Sequence, residues 1–162
     1  MKDCMIKIDN MIAPLRCVAH HYASPLLDLA IRLYMAQIFF QSGWGKFKNF
    51  LNDDWGTTVF LFQEAHPLPF LPANVAAVLG TGAELILPVL LAIGLFTRLG
   101  AAGLLAMTMA IQFLVPADYG VANPIHYMWM LLLAVPLVKG PGPLSLDYFI
   151  IKKLRNKIST AQ

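Results

Sequence analysis

The sequence predicts an all-α integral membrane protein, a four-helix bundle with an outer interfacial loop or helix and a basic C-terminal tail. Three observations lead to this fold class. The chain is 58% hydrophobic and 13% charged, whereas ordinary soluble domains carry about 25% charged residues. Its mean hydropathy is +0.63, and a soluble protein of 162 residues could not hide so much apolar surface. Four apolar segments also approach the length that crosses a bilayer, about 20 residues.

Helix-start and helix-stop residues bound these segments. Ser24 and Pro25 open the first, because serine caps a helix and proline fits its first turn. Pro116 stops the third, and the run from Gly140 to Pro143 ends the fourth, which is short enough to require tilt. The predicted spans are residues 26–45, 74–96, 99–115 and 124–138. The predicted domains are an N-terminal cytoplasmic segment 1–25, a transmembrane domain 26–143 and an amphipathic basic cytoplasmic tail 144–162.

The lysines and arginines predict that both termini are cytoplasmic. Only Lys46 and Lys48 fall on the opposite side, which is a clear positive-inside bias. The basic residues on the side of the termini are Lys2, Lys7, Arg16, Arg98, Lys139, Lys152, Lys153, Arg155 and Lys157. We therefore expect a multi-pass membrane protein.

The loop of residues 46–73 is predicted to hold a helix on the outer surface of the membrane. Its segment 54–66 alternates too poorly for a strand and is too short to span. Trp44 and Trp55 are suited to anchor it at the level of the lipid headgroups.

Composition also excludes several functions. The net charge of +3 comes from residues that flank apolar segments, without a basic patch interleaved with aromatics, and so nucleic acid is not an expected partner. Cys4 and Cys17 both precede the first span and form no CxxC motif. This argues against thiol–disulfide chemistry in the membrane and against a zinc or iron–sulfur site, and no metal site is predicted.

Glu84 is the first candidate functional residue. It lies near the middle of the second span, where an ionisable side chain costs about 2.5–3.5 kcal/mol and is usually paired or functional. Arg32, within the first span, is the predicted partner. Pro88 should free the backbone carbonyl of Glu84, because proline removes the hydrogen bond to the residue four positions earlier. The pair is either a carboxylate that carries protons or anchors a ligand, or a salt bridge that locks two helices together.

A second polar set is predicted toward the outer face, where it could line a pocket. Its members are Gln37, Gln41, Gln112 and His126, joined by His66 from the loop. A histidine in a membrane cavity can exchange protons near neutral pH. Aromatic residues of the first span and the loop could complete a quinone-sized slot. The alternatives are ordinary interhelical hydrogen bonds, worth about 0.6 kcal/mol per pair, and aromatic contact with lipid.

The chain resembles the DoxX family in two stretches. Residues 29–47, with Arg32, resemble the first helix of that family. Residues 83–105, which run from Ala83-Glu84 through Thr97-Arg98, resemble its most recognisable segment. His126 and residues 140–147 match as well, so the resemblance covers about residues 26–148. It implies a bacterial inner-membrane protein of four helices, in a family whose DoxD relatives are associated with thiosulfate:quinone oxidoreduction and some members with complexes that handle thiol and oxidative stress.

The resemblance implies that the polar positions of the family map onto Arg32, Glu84, Arg98 and His126. The leading hypothesis is a small inner-membrane subunit of a redox-associated complex that binds quinone, with electrons supplied by a partner protein. Glu84, Arg32 and His126 would then act on protons or the ring, and the remaining candidates would contact it: Gln37, Gln41, Gln112 and Arg98.

Two alternatives from other functional classes stay open. One is a non-catalytic membrane scaffold in which the Arg32–Glu84 pair is structural. The other is a small-solute or proton permease, which would require a homo-oligomer because one four-helix chain is small for that task. Whether the chain is part of an enzyme is not determined by the sequence.

Overall fold

The computed structural model describes residues 11, 13–14, 17–68, 70–116 and 121–160. These residues form six α-helices and no strand, which confirms the all-α prediction. The helices are α1 (Ser24–Leu51), which continues a π-helical turn at Ala19–Ala23, α2 (Trp55–Glu64), α3 (Ala73–Ile93), α4 (Thr97–Phe113), α5 (Ile125–Lys139) and α6 (Leu146–Thr160). Most of the predicted N-terminal segment, including Cys4, lies outside the described residues.

The four long helices of the predicted bundle pack side by side. α1 packs against α3 and α5, and α4 packs against the same two helices, so that the four close into a ring. α2 lies over one end and packs against α3 and α1. The core of the ring is apolar and consists of Met35, Phe39, Leu91, Ala101, Leu104 and Leu133.

Among the described residues, two helices are long and apolar enough to cross a membrane: the continuous helix Ala19–Leu51 and α3. α5 is apolar but shorter. The outward faces are rich in exposed large apolar side chains, such as Leu33, Ile86 and Leu131. Contiguous exposed apolar surface of this kind is unfavourable in water and is typical of contact with lipid or a partner.

The helix ends differ from the predicted spans for local reasons. α1 continues past Gly45 to Leu51, so Lys46 belongs to the helix and not to the loop. α3 ends at Ile93 because Gly94 adopts the left-handed conformation, with φ of 71°, which glycine enters without steric cost. The predicted helix in the outer loop is present as α2.

Gly43 brings α1 into direct contact with α3. A β-carbon on Gly43 would lie 2.7 Å from the β-carbon of Glu84 and 2.9 Å from its carbonyl carbon. A side chain at this position would therefore push the two helices apart. Small residues permit this close approach in helix pairs within membranes.

We expect Gly43→Ala to destabilise the protein by about 1–3 kcal/mol, the usual cost of overpacking a close contact. Gly45→Ala is the matched control, because it lies on the same helix and a β-carbon there would meet nothing within 4 Å. It should be neutral or stabilise by about 0.5–1 kcal/mol, because alanine is the better helix former. Thermal unfolding of the detergent-purified variants measures both effects, and equal melting temperatures for the two would contradict the close contact.

Candidate functional site: an apolar cavity with a buried ion pair

A cavity of about 750 Å³ lies inside the end of the bundle that carries α2, here called the loop end. Its walls come from all four long helices, and α2 together with His66, Leu68 and Leu71 covers it. Most of the lining is apolar, with leucine, alanine, methionine and valine side chains, Phe62 and Trp129. The polar lining is concentrated in a few side chains: Ser42, Lys46, His66, Glu84, Asn123 and His126.

Lys46 and Glu84 form an ion pair on one wall of the cavity. The Lys46 ammonium donates hydrogen bonds to Glu84 Oε2 and to Ser42 Oγ, the latter at 2.8 Å. Both side chains are largely withdrawn from the surface, with 13% of Lys46 and 7% of Glu84 exposed. The ammonium also lies 5.8 Å from the centre of the Phe62 ring, within the range of a cation–π contact. Phe62 in turn packs against Gly80 of α3.

The prediction that Arg32 pairs with Glu84 is wrong. Glu84 contacts α1 at Gly43, which is 11 residues beyond Arg32, or about 16 Å along the helix. α1 begins before its predicted span, and Arg32 lies level with Gly94 at the end of α3, ten residues beyond Glu84. The carboxylate is instead level with Lys46, which the sequence placed in the outer loop.

Arg32 lies at the opposite end of the bundle, where α6 leaves it, here called the tail end. Its guanidinium donates to the carbonyl of Leu144 and lies against Gly94. Asp28 and Asp147 are the acidic groups that act on it electrostatically. Arg32 is 1% exposed, and Nε and Nη1 have no hydrogen-bond partner within the described part of the chain. Arg32 therefore links α1 to the segment that leads into α6.

Further polar contacts fasten the tail end. Lys139 binds Asp28 at 2.7 Å and Ser24 at 2.6 Å, which ties α5 to α1. The carboxylate of Asp147 accepts hydrogen bonds from the backbone N–H groups of Phe96 and Thr97, both at 2.9 Å, and so caps α4. Acceptors at this position satisfy N–H groups that the helix itself leaves unpaired.

Arg98 also belongs to the tail end. It is exposed, donates to the carbonyl of Val138 at 3.4 Å and does not line the cavity. The sequence-derived candidates Arg32 and Arg98 thus lie together at one end, and Glu84 and His126 at the other.

His126 lines the cavity and contacts Gln112, which does not line it. His126 sits in the first turn of α5, 8% exposed, and its Nδ1 lies 2.7 Å from Gln112 Oε1. The same oxygen accepts the backbone N–H of Asn123 at 3.1 Å. The imidazole also packs on the Trp129 ring, with ring centres 5.2 Å apart.

Gln37 and Gln41 do not join this set. Both are exposed on α1. Gln37 lies in a shallow groove on the outside of the bundle beside Phe40 and Pro88. Their i, i+4 spacing places them on one face of α1, but that face points away from the cavity.

His66 lines the cavity from the covering loop, 6.1 Å from the Phe62 ring. Burial lowers the pKa of His66 below its ordinary value, and the positive charge of Lys46 lowers this pKa further. The neutral imidazole is therefore the favoured form at neutral pH.

Exposed residues of the cavity lining lie on several elements, including the neighbouring helices α3 and α4. Toward the tail end these helices touch, since a β-carbon on Gly100 would lie 3.1 Å from the Leu87 carbonyl oxygen and one on Gly103 would lie 2.5 Å from a Leu87 methyl. Toward the loop end, Leu79 and Ala106 both line the cavity and are exposed. A ligand could therefore enter from the side of the bundle.

Sequence reasoning missed Lys46 and Trp129 as cavity residues, whereas Phe62 belongs to the aromatic set that it named for a possible slot. Lys46 was assigned to the membrane flank because a charge normally ends an apolar window. The available signal was Ser42 at i−4, which places a hydroxyl on the same helical face as Lys46, with Gly43 nearby to admit a neighbouring helix.

The DoxX family model matches residues 27–117. The chain belongs to the DoxX family. A Haemophilus influenzae (strain ATCC 51907 / DSM 11121 / KW20 / Rd) protein, described as an uncharacterized protein, is 32% identical over 145 residues, which cover 84% of this chain and 91% of that protein. No solved structure matches the chain. The segment matched by the family model, residues 27–117, includes Arg32, Lys46, Glu84 and Arg98 of this DoxX protein. His126 lies outside that segment.

Glu84→Gln should destabilise the protein by about 3–5 kcal/mol, because it leaves the buried Lys46 ammonium without its counter-charge. Lys46→Met in the same chain should recover most of this loss, since both charges are then removed. Arg32→Met is the matched control and should give no recovery with Glu84→Gln. Thermal unfolding in detergent distinguishes the cases, and rescue by Arg32→Met would show that the Lys46–Glu84 assignment is wrong.

Proposed function

We propose that this DoxX protein is a small subunit of a redox-associated complex in the bacterial inner membrane. Its cavity binds the ring of a quinone, and a partner protein supplies the electrons. The observation that carries the proposal is the cavity itself: it is mostly apolar, has exposed lining residues on α3 and α4, and includes Lys46 and His126 in its lining.

The residues of the cavity fit a quinone. Sites for small organic ligands measure about 300–1,000 Å³ and combine apolar walls with a few placed polar groups, and this cavity has both properties. When bound, a quinone would supply a carrier of electrons and protons within the bilayer. The exposed lining residues Leu79 and Ala106 would let an apolar tail remain in lipid while the ring lies inside.

Lys46 has the clearest role toward such a ring. An ammonium carries three N–H donors, and Glu84 and Ser42 accept two of them. The third is available for an oxygen of a ligand. Glu84 acts here as a positioning residue, because its carboxylate holds the ammonium and balances its charge in an apolar wall.

The partner protein is proposed from the distribution of redox-capable residues in the sequence. Both cysteines, Cys4 and Cys17, precede the first span, and Cys17 is exposed and free. No CxxC motif accompanies the cavity residues. Electrons would therefore come from outside this chain, through a protein that contacts the bundle or its tail.

The binding proposal can be tested by the melting temperature of the detergent-purified protein with a panel of short-chain quinones. A ligand that binds only the folded state raises this temperature as its concentration increases. We expect a rise for the wild type and none for Ala110→Phe, which fills the cavity from α4.

The matched control is Ala30→Phe, an exposed position on α1 outside the cavity lining, which should respond like the wild type. The melting temperature of ligand-free Ala110→Phe shows whether that variant is folded. Absence of any shift in the wild type would overturn quinone binding and favour the scaffold hypothesis.

We also propose that all four long helices cross the membrane and that both termini are cytoplasmic. α6 supports this orientation, because its exposed apolar side chains at 148–151 are followed by a basic set. The basic set is Lys152, Lys153, Arg155 and Lys157. Such a helix would lie on the inner surface, where anionic lipids attract lysine and arginine.

Labelling of single cysteines tests the orientation. In a background with Cys4→Ser and Cys17→Ser, Gln63→Cys on α2 and Ser159→Cys on α6 are both exposed. In intact cells with a permeabilised outer membrane, an impermeant maleimide should label Gln63→Cys at once and Ser159→Cys only after lysis. The reverse pattern would show the opposite orientation.

A further inference from the structure

Gln112 has an orientation that the backbone determines. The N–H of Asn123 is 3.1 Å from Gln112 Oε1, and a backbone N–H can only donate. The side-chain oxygen must therefore face Asn123. The amide nitrogen then points toward the Tyr127 hydroxyl, at 3.4 Å, which can accept a hydrogen bond from it.

This orientation determines the tautomer of neutral His126. Nδ1 lies 2.7 Å from the same Gln112 oxygen, and an amide oxygen only accepts hydrogen bonds. Nδ1 must then carry the hydrogen. In a neutral imidazole the second nitrogen, Nε2, is consequently an acceptor without a hydrogen.

The cavity therefore offers groups of opposite hydrogen-bonding character. His126 lines the cavity, and the described residues provide no hydrogen bond to its Nε2. Lys46 lines the same cavity and has an N–H to donate. One wall thus presents a donor to a ligand, and another presents an acceptor.

The oxidised and reduced forms of a quinone differ in this property. A quinone oxygen can only accept hydrogen bonds. It can therefore bind the Lys46 ammonium, but beside His126 Nε2 its lone pairs and that of the nitrogen repel each other. A hydroquinone hydroxyl can both donate and accept hydrogen bonds. One hydroxyl of the ring can therefore accept from Lys46 while the other donates to His126. The same holds for any ring that carries one hydroxyl and a second oxygen.

We propose that His126, held by Gln112, makes this cavity selective for the reduced, hydroxyl-bearing form of its aromatic ligand. This inference rests on the proposed function, since it concerns the same cavity. A buried hydrogen bond gained by one form and lost by the other corresponds to an affinity difference of about tenfold. Gln112 acts as a positioning residue, since it touches His126 and not the ligand.

The experiment compares three forms of one short-chain ring under anaerobic conditions: the hydroquinone, the quinone and the hydroquinone dimethyl ether. Dissociation constants come from the concentration dependence of the melting temperature, so no partner protein or turnover is needed. For the wild type we expect the hydroquinone to bind about tenfold more tightly than the other two. The ether retains the shape of the ring but cannot donate.

Three variants test whether His126 and Gln112 produce the preference for the hydroquinone. His126→Phe should bind the hydroquinone and the quinone equally, because it removes the acceptor and keeps an aromatic ring. Gln112→Met should reduce the preference, because neither tautomer of His126 is then favoured. Gln37→Leu is the matched control, an exposed glutamine on α1 outside the cavity lining, and should keep the full preference. Melting temperatures without ligand show which variants are folded.

The outcomes separate this inference from the function on which it rests. Equal or tighter binding of the quinone by the wild type would overturn the selectivity and leave quinone binding intact. A preference that persists in folded His126→Phe would overturn the role of His126. If the wild type binds none of the three forms, quinone binding and selectivity fall together.

Discussion

The contact between α1 and α3 at Gly43 is the constraint on which the rest of the structure depends. Because Gly43 has no side chain, the backbone of α1 reaches the backbone of α3 at Glu84. Lys46, one turn further along α1, then lies beside the Glu84 carboxylate and can neutralise it. A carboxylate without this partner would be costly in a wall that is otherwise apolar. The close contact thus determines the position along the bundle axis at which Lys46 and Glu84 can form their ion pair.

The two ends of the bundle use polar groups differently. At the tail end, each group is joined to a neighbouring element: Lys139 to Asp28, Asp147 to the start of α4, and Arg32 to the segment before α6. Such contacts hold elements together. At the loop end, the polar groups of Lys46 and His126 border an open volume. The tail end is therefore held together by polar contacts, whereas the loop end has a cavity that can receive a ligand.

Much of the fold could be predicted because its signals are local. Apolar segments of spanning length, with proline and glycine at their ends, predicted the four long helices, and the composition predicted their apolar outward faces. The site was predicted only in part. Glu84, His126 and Gln112 do lie at the cavity or beside it, since buried polar residues in apolar helices are rare enough to be conspicuous. Which residues these side chains contact depends on the position of each helix along the bundle axis and on its rotation. No local sequence pattern encodes either property.

The sequence by itself determined that this protein is helical, strongly apolar and a member of the DoxX family, because composition and motif are properties of the chain alone. Tertiary structure decided which charges meet. Arg32 and Glu84 are the two conspicuous charges of the predicted spans, yet about 16 Å of helix separates their levels, and an ion pair requires contact within a few ångströms. Only the packing of α1 on α3 selected Lys46 as the partner, and only the assembly of the four long helices with α2 created the cavity.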